Sequence, residues 1–246
     1  MLGVEALLRW EDGQSGPVSP SDFVPLAEDT GLMTSIGTWV LETACGQMKS
    51  WIDEGLPPIR VSVNVSRCQL ERGDLALEVE RVLRETGLAP ELLELELSER
   101  GALRGDPGIL AQLRRIKRMG VRLVVDDFGT GQTGMSYLKQ SDLDGLKIDR
   151  SFIEGMLGSH QDDALTAAMV VMAQRLKMDV TAEGVETEAQ RDRICEYGCQ
   201  AIQGLLYSQA LPAAELRGRL DLTHGWAELD PADCSAEFEP MAAVGS

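Results

Sequence analysis

The chain has 246 residues, 43% of them hydrophobic, and a formal charge of −17. That length fits one large α/β domain or two small ones, with a substantial core. So acidic a chain is a poor match for duplex nucleic acid, which needs a basic stripe; a small anionic ligand is compatible where metal ions supply local positive charge. The five cysteines (Cys45, Cys68, Cys195, Cys199 and Cys234) form no Cys-x-x-Cys pair. An odd number of thiols favours a reducing cytoplasm over a disulfide framework. With only His160 and His224, a His-rich zinc site is not expected. The most apolar run, Ala164 to Ala173, is far shorter than the ~20 residues that span a bilayer. The first residues lack a secretory pattern, so the expectation is a cytoplasmic protein without a direct membrane segment.

In chain order, Gly3 to Arg9 reads as a strand. Ser19-Pro-Ser-Asp starts a helix to about Thr30, with Ser21 as its N-cap. A second helix runs from about Ile36 to Asp53 and places Ile36, Val40, Ala44, Met48 and Trp51 along one face. The β-branched run Ile59 to Val65 is a strand, followed by a helix from about Asp74 to Glu85 and a strand from Leu92 to Leu97. Asp106 caps a helix with Pro107 at its first position and Gly120 just past its end. Leu110, Leu113 and Ile116 or Met119 make its inner stripe, and Arg114, Arg115, Lys117 and Arg118 its solvated face. Val121 to Asp127 is a strand running into a glycine-rich turn and a loop to Tyr137. Asp144 to Ile148 is the next strand. A largely apolar helix from about Asp163 to Met178, a strand from Asp179 to Ala182, a helix from Glu188 to Tyr197 and a short strand from Gln200 to Gln203 complete the pattern. Residues 221–246 hold six acids and no Lys or Arg. They read as a disordered acidic tail, leaving 1–220 as the folded domain. Strands alternating with helices indicate parallel βαβ units. Seven strands are one fewer than a closed (β/α)8 barrel requires.

On that map Glu5, Asn64, Glu96 with Glu99, Asp126 with Asp127, Lys147, Glu183 with Glu186, and Gln203 all fall at or just past the C-terminal ends of strands. In a barrel those ends converge on one mouth. Each residue alone also suits a cap or a polar loop; the shared position argues for a site. Adjacent carboxylates such as Asp126 and Asp127 repel unless a positive charge lies between them. Glu, Asp and Asn oxygens suit Mg2+ or Mn2+ rather than zinc, and two such ions can activate a water against a phosphodiester. Lys147, the one cation of the set, reads equally as a water-orienting group or as a partner in a buried salt bridge. Gly129-Thr-Gly131-Gln-Thr-Gly134 matches Gly-x-Gly-x-x-Gly, with Asp149 near the expected offset. A dinucleotide reading fails because two carboxylates stand where a pyrophosphate would lie.

The motifs Glu5-Ala6-Leu7-Leu8-Arg9-Trp10, Ser62-Val63-Asn64, Glu96-Leu97-Ser98-Glu99, Asp126-Asp127-Phe128-Gly129-Thr130-Gly131, Leu146-Lys147-Ile148-Asp149, Ala182-Glu183-Gly184-Val185-Glu186-Thr187 and Gln203-Gly204 together resemble the EAL family of cyclic-di-GMP phosphodiesterases. They run from Glu5 to about Pro212. The resemblance implies a TIM-like (β/α)8 barrel of the EAL type that hydrolyses cyclic-di-GMP to linear pGpG with Mg2+ or Mn2+, as two ions. It implies metal ligation by Glu5, Asn64, Glu96, Asp126, Asp127 and Glu183. Catalytic roles fall on Glu183, Lys147 and Asp127, and ligand contacts on Arg9, Leu7, Gln203 and Asp149. Glu99 would anchor the Asp-Asp loop and Glu186 would support the site from behind. A homodimer, and upstream sensory or GGDEF-type domains, are further family expectations. The alternative reading is a catalytically silent cyclic-di-GMP receptor that signals to a partner.

The pattern departs from the family in three places. No strand ending in Gln-Pro precedes Glu-Ala-Leu, so the first N-terminal strand is missing. The expectation is a shortened chain whose barrel is open, with an unpaired edge. Gln132-Thr133-Gly134-Met135 replaces the usual Tyr-Ser-Ser-Leu. Leu205 stands for Tyr, and Gln209-Ala210 for Lys-Pro.

Overall fold

A computed structural model describes residues 2–13, 16–99, 106–131, 142–222 and 239–245. The Gln132-Thr133-Gly134-Met135 departure and the loop to Tyr137 lie outside them. Seven parallel strands follow one another round a curled sheet: β1 (Gly3–Leu7), β4 (Arg60–Val65), β5 (Leu93–Ser98), β6 (Arg122–Phe128), β7 (Gly145–Ile148), β8 (Asp179–Glu183) and β9 (Ala201–Gln203). Their helices are α2 (Met33–Asp53), α3 (Arg67–Arg72), α4 (Leu75–Thr86), α5 (Pro107–Arg118), α6 (Arg150–Gly155), α7 (His160–Arg175) and α8 (Glu188–Glu196). A short hairpin of β2 (Trp10–Asp12) and β3 (Gly16–Val18), then α1 (Pro20–Thr30), intervene after β1. Two-residue β10 (Leu211–Pro212) and α9 (Ala213–Leu222) follow β9.

The eighth position is filled from the other end of the chain. Glu239–Gly245 forms β11, which pairs in parallel with β9 on one side and β1 on the other. The expected open edge between β1 and β9 is therefore closed, and this part of the acidic tail is a strand. Averaged over 221–246 the composition is that of a disordered chain, yet Met241-Ala-Ala-Val-Gly245 is an uncharged run long enough for one strand.

Strand burial has the barrel signature. All of Leu93 to Leu97 is buried, because leucines face the helices while Glu94 and Glu96 face the lumen. Outside the sheet Leu41, Met48, Val79, Val82, Ile116 and Val170 pack as one core. At the N-terminal end the lumen is tied by ions: Arg122 donates to Glu94 at 3.1 Å and to Asp179 at 2.6 Å, and Ser62 donates to Glu94 at 2.8 Å. That leaves the C-terminal end for the site.

Local signals explain most element ends. Asp106 accepts from Gly108 N at 2.7 Å, with Pro107 at the first turn as the sequence indicates. In α1 the N-cap position is Ser19 rather than Ser21, because Pro20 takes the first helical place. The buried face of α2 is Met33, Gly37, Leu41, Ala44, Met48 and Trp51, a slight rotation from the expected stripe that leaves Ile36 and Val40 half-buried.

Candidate active site

Each lumen-facing polar residue is delivered by a strand tip. Lys147, on β7, is 1% exposed and surrounded by four carboxylates. Its Nζ lies 2.7 Å from Glu183 Oε1, 2.9 Å from Glu96 Oε2, 3.1 Å from Glu5 Oε2 and 3.9 Å from Asp126 Oδ1. Asn64 Nδ2 donates to Glu5 Oε1 and Gln203 Nε2 to Glu5 Oε2, both at 2.7 Å. The structure thus brings together Glu5, Asn64, Glu96, Asp126, Lys147, Glu183 and Gln203 from seven strands.

Asp126 and Asp127 reach the same mouth through a defect in the ladder. Adjacent residues of a regular strand point to opposite faces. Between β6 and β7 the register slips, Val125 pairing with Leu146 and Phe128 with Ile148. The extra residue makes a bulge, which re-aims side chains where it occurs. Asp127 sits in it with φ +53°, a left-handed conformation that Asp tolerates better than most residues. Carboxylate oxygens of Asp126, Asp127 and Glu183 then lie within 4.8 Å of one another.

The loop after this bulge is held from β5. The buried Glu99 carboxylate accepts from Gly129 N and Gly131 N, each at 3.1 Å. A Cβ on Gly131 would lie 2.4 Å from Glu99 Oε1, so the close approach needs glycine. On the other side of the mouth, Gly204 lets β9 run against Val185: a Cβ there would lie 2.1 Å from Val185 O. Val185 N donates to Gln203 O at 3.2 Å. This contact fixes Gln203, and only the Gln-Gly dipeptide hints at it in the sequence.

The EAL domain family model matches residues 1–210. The chain belongs to the EAL domain family. It is 42% identical over 216 residues to the bifunctional diguanylate cyclase/cyclic di-GMP phosphodiesterase MucR of Pseudomonas aeruginosa, covering 88% of this chain and 32% of that one. To the cyclic di-GMP phosphodiesterase NbdA of the same organism it is 39% identical over 213 residues, 87% of this chain and 27% of that one. It therefore spans about a third or less of these curated relatives. The solved structure of the PaMucR phosphodiesterase in its c-di-GMP complex superposes with a TM-score of 0.84 at 42% identity, over 88% of this chain and 87% of that one. The cGMP-bound form of the EAL enzyme Bd1971 gives a TM-score of 0.84 at 27% identity, over 89% and 61%.

Other residues expected at the EAL site stand further out. Arg9 is exposed, with its Nη1 donating to Leu8 O at 3.2 Å. Leu7, at the end of β1, lines an apolar hollow with Trp39 and Trp51 of α2. Asp149 caps α6 by accepting from Ser151 N at 3.0 Å. It also lies close enough to Asp127 to raise that group's pKa. Glu186 donates its backbone N–H to Gln190 Oε1 at 2.9 Å, joining the capping arrangement of α8.

Among the described residues, the electrostatics of this EAL domain site follow from five acids and one base. Burial, reinforced by neighbouring acids, pushes Glu96 well up and outweighs the attraction of Lys147. Burial raises Glu183 to about 7, and burial with the charges of Asp126 and Asp149 raises Asp127 to about 6. Asp126 is likewise raised by burial. Glu5 alone is lowered: burial works against it, but Lys147 and the hydrogen bonds from Gln203 and Asn64 prevail. Lys147 is held well above the usual lysine range, burial being outweighed by the carboxylates. Glu96 Oε1 and Gln203 Oε1 are buried without a hydrogen-bond partner among the described residues. An all-oxygen donor set, surplus negative charge and two orphaned acceptors fit a hard divalent cation.

Proposed function

We propose that this EAL domain is a metal-dependent phosphodiesterase that hydrolyses cyclic-di-GMP to linear pGpG. The observation that carries the reading is that, among the described residues, one buried ammonium, Lys147, faces four carboxylates and Glu96 Oε1 is left unpaired. One amine cannot balance that charge, and burying it uncompensated is costly. Glu5, Asn64, Glu96, Asp126, Asp127 and Glu183 would hold two Mg2+ or Mn2+ ions. Bound there, the ions supply Lewis acidity toward a phosphoryl oxygen and acidify a bound water.

The protein's own groups do the rest. Glu183, 2.7 Å from Lys147 at the edge of the cluster, accepts the proton of the attacking water. Lys147 keeps Glu5, Glu96 and Glu183 at fixed separations and orients that water. Gln203 and Asn64 hold both Glu5 oxygens, and Glu99 fixes the loop that carries Asp127. Arg9 and Asp149, at the rim, contact the dinucleotide. The likeness to the PaMucR phosphodiesterase in its c-di-GMP complex supports this substrate.

The test is incubation of the purified protein with cyclic-di-GMP, with and without Mn2+, followed by chromatography. Formation of pGpG that needs Mn2+ and is lost in Glu5→Ala supports the reading. Calorimetric binding of the dinucleotide without turnover overturns it in favour of a receptor.

A further inference from the structure

Glu5 and Gln203 share a 2.7 Å hydrogen bond, yet their strands do not pair with each other. Both pair with β11: Glu5 is in register with Ala243, and Gln203 with Met241. We propose that the C-terminal segment Glu239–Gly245 is a positioning element of the site, spacing Glu5 and Gln203 across the barrel seam. The inference rests on the metal reading given above.

Parallel neighbours lie ~4.8 Å apart, so an intervening strand sets β1 and β9 at about twice that spacing. Side chains of Glu and Gln then meet across it, as they do here. With the segment gone, two unpaired edges would face each other, and nothing in the ladder would fix their distance. The sequence of the segment suits this place. Its register positions beside Glu5 and Leu7 are Ala243 and Gly245, two of the smallest residues. Pro240 falls where β11 has β9 beside it but has not yet met β1, whose pairing begins at Met241. A proline is tolerated at such a half-paired position and not within a doubly paired strand. Further along, β10 replaces β9 as the second neighbour, with Leu211 in register with Val244. The segment is therefore flanked on both sides at Met241, Val244 and Gly245, and by β1 alone at Ala242 and Ala243, the step between β9 and β10.

Hydrogen–deuterium exchange on the full chain tests the strand itself. Slow exchange of the Met241–Val244 amides is expected; exchange at unstructured rates overturns the proposal. Val244→Pro then breaks the ladder at a position flanked by both β1 and β10, with Val244→Thr as the control that keeps the N–H. Arg60 N donates to Leu2 O, so alternate residues Leu2, Val4 and Ala6 turn their backbone groups to β4 and Glu5 and Leu7 turn theirs to β11. Val244→Pro should speed exchange at Glu5 and Leu7 and weaken Mn2+ binding by ~10-fold in calorimetry, while far-UV circular dichroism and exchange in β5 stay unchanged. Val244→Thr should bind like the parent. Unchanged Mn2+ affinity and unchanged exchange at Glu5 in Val244→Pro would overturn the proposal. If the parent binds no Mn2+, the metal reading fails, and the exchange at Glu5 and Leu7 alone decides whether β11 holds β1. Should Val244→Pro fail to fold, comparison of Met241→Pro with Met241→Leu decides the same question at the Gln203 register.

Discussion

Lys147 Nζ lies 2.7 Å from Glu183 Oε1, at the centre of a ring of carboxylates that also includes Glu5, Glu96 and Asp126. One buried amine thus serves as counter-charge for four acids. Removing it leaves their repulsion uncompensated. Lys147→Met should lower the stability of the metal-free protein by about 3–5 kcal/mol. Saturating Mn2+ should raise its melting temperature more than that of the parent, because the cation takes over the lost charge. Equal melting temperatures for variant and parent in EDTA would contradict this account of the ring.

Glu99 acts on the site without entering it. Its carboxylate accepts from Gly129 N and Gly131 N, and hydrogen bonds to a charged group contribute about 1.5–3 kcal/mol each. Glu99→Ala should reduce Mn2+ affinity ~10-fold through the loosened Asp127 loop, with Glu99→Gln recovering part of the loss. Isothermal calorimetry reads both; an unchanged affinity in Glu99→Ala separates the loop from metal binding.

The raised acids give metal-free stability a definite pH dependence. Glu183 titrates at about 7 and Asp127 at about 6 in the folded state, above their ordinary values. The folded chain therefore holds more protons than the unfolded one between roughly pH 4 and 7. Stability from these groups is full below their unfolded pKa and is lost as pH rises through 6 and 7. Glu5, held low, acts in the opposite sense only at more acid pH. Melting temperatures in EDTA should fall from pH 5 to pH 8, and Mn2+ affinity should rise over the same range as the ligands deprotonate. A flat or rising melting profile would contradict the assignment.

How much of this was legible in the sequence depends on the scale of each signal. Strand tips carrying Glu5, Asn64, Glu96, Asp126, Lys147, Glu183 and Gln203 could be read directly, because a period of two and the alternation with helices set them on one side of the sheet. The bulge at Asp126 and Asp127 could not, since it depends on the register with β7 and not on either residue alone. The short helix α3 escaped the periodicity reading, although Ser66 and Gln69 form a capping box that was visible in principle. β11 was hidden by the acidic average around it. The closure it makes is a long-range pairing between the two ends of the described chain.

Asp126 separates the chemistry from the fold. It is a partly accessible strand-tip carboxylate 3.9 Å from Lys147, so Asp126→Asn keeps the shape and removes a charge. Cyclic-di-GMP turnover should disappear while the metal-free melting temperature holds or rises. Retained turnover would remove Asp126 from the reactive set.

The central claim is that oxygens of Glu5, Asn64, Glu96, Asp126, Asp127 and Glu183 surround divalent cations at the barrel mouth. Anomalous X-ray scattering at the manganese edge, from crystals grown with Mn2+, locates the ion directly. The account predicts density within bonding distance of Glu5, Asn64, Glu96 and Asp126. Manganese bound only elsewhere on the chain, with Lys147 still the sole cation in the ring, would contradict it.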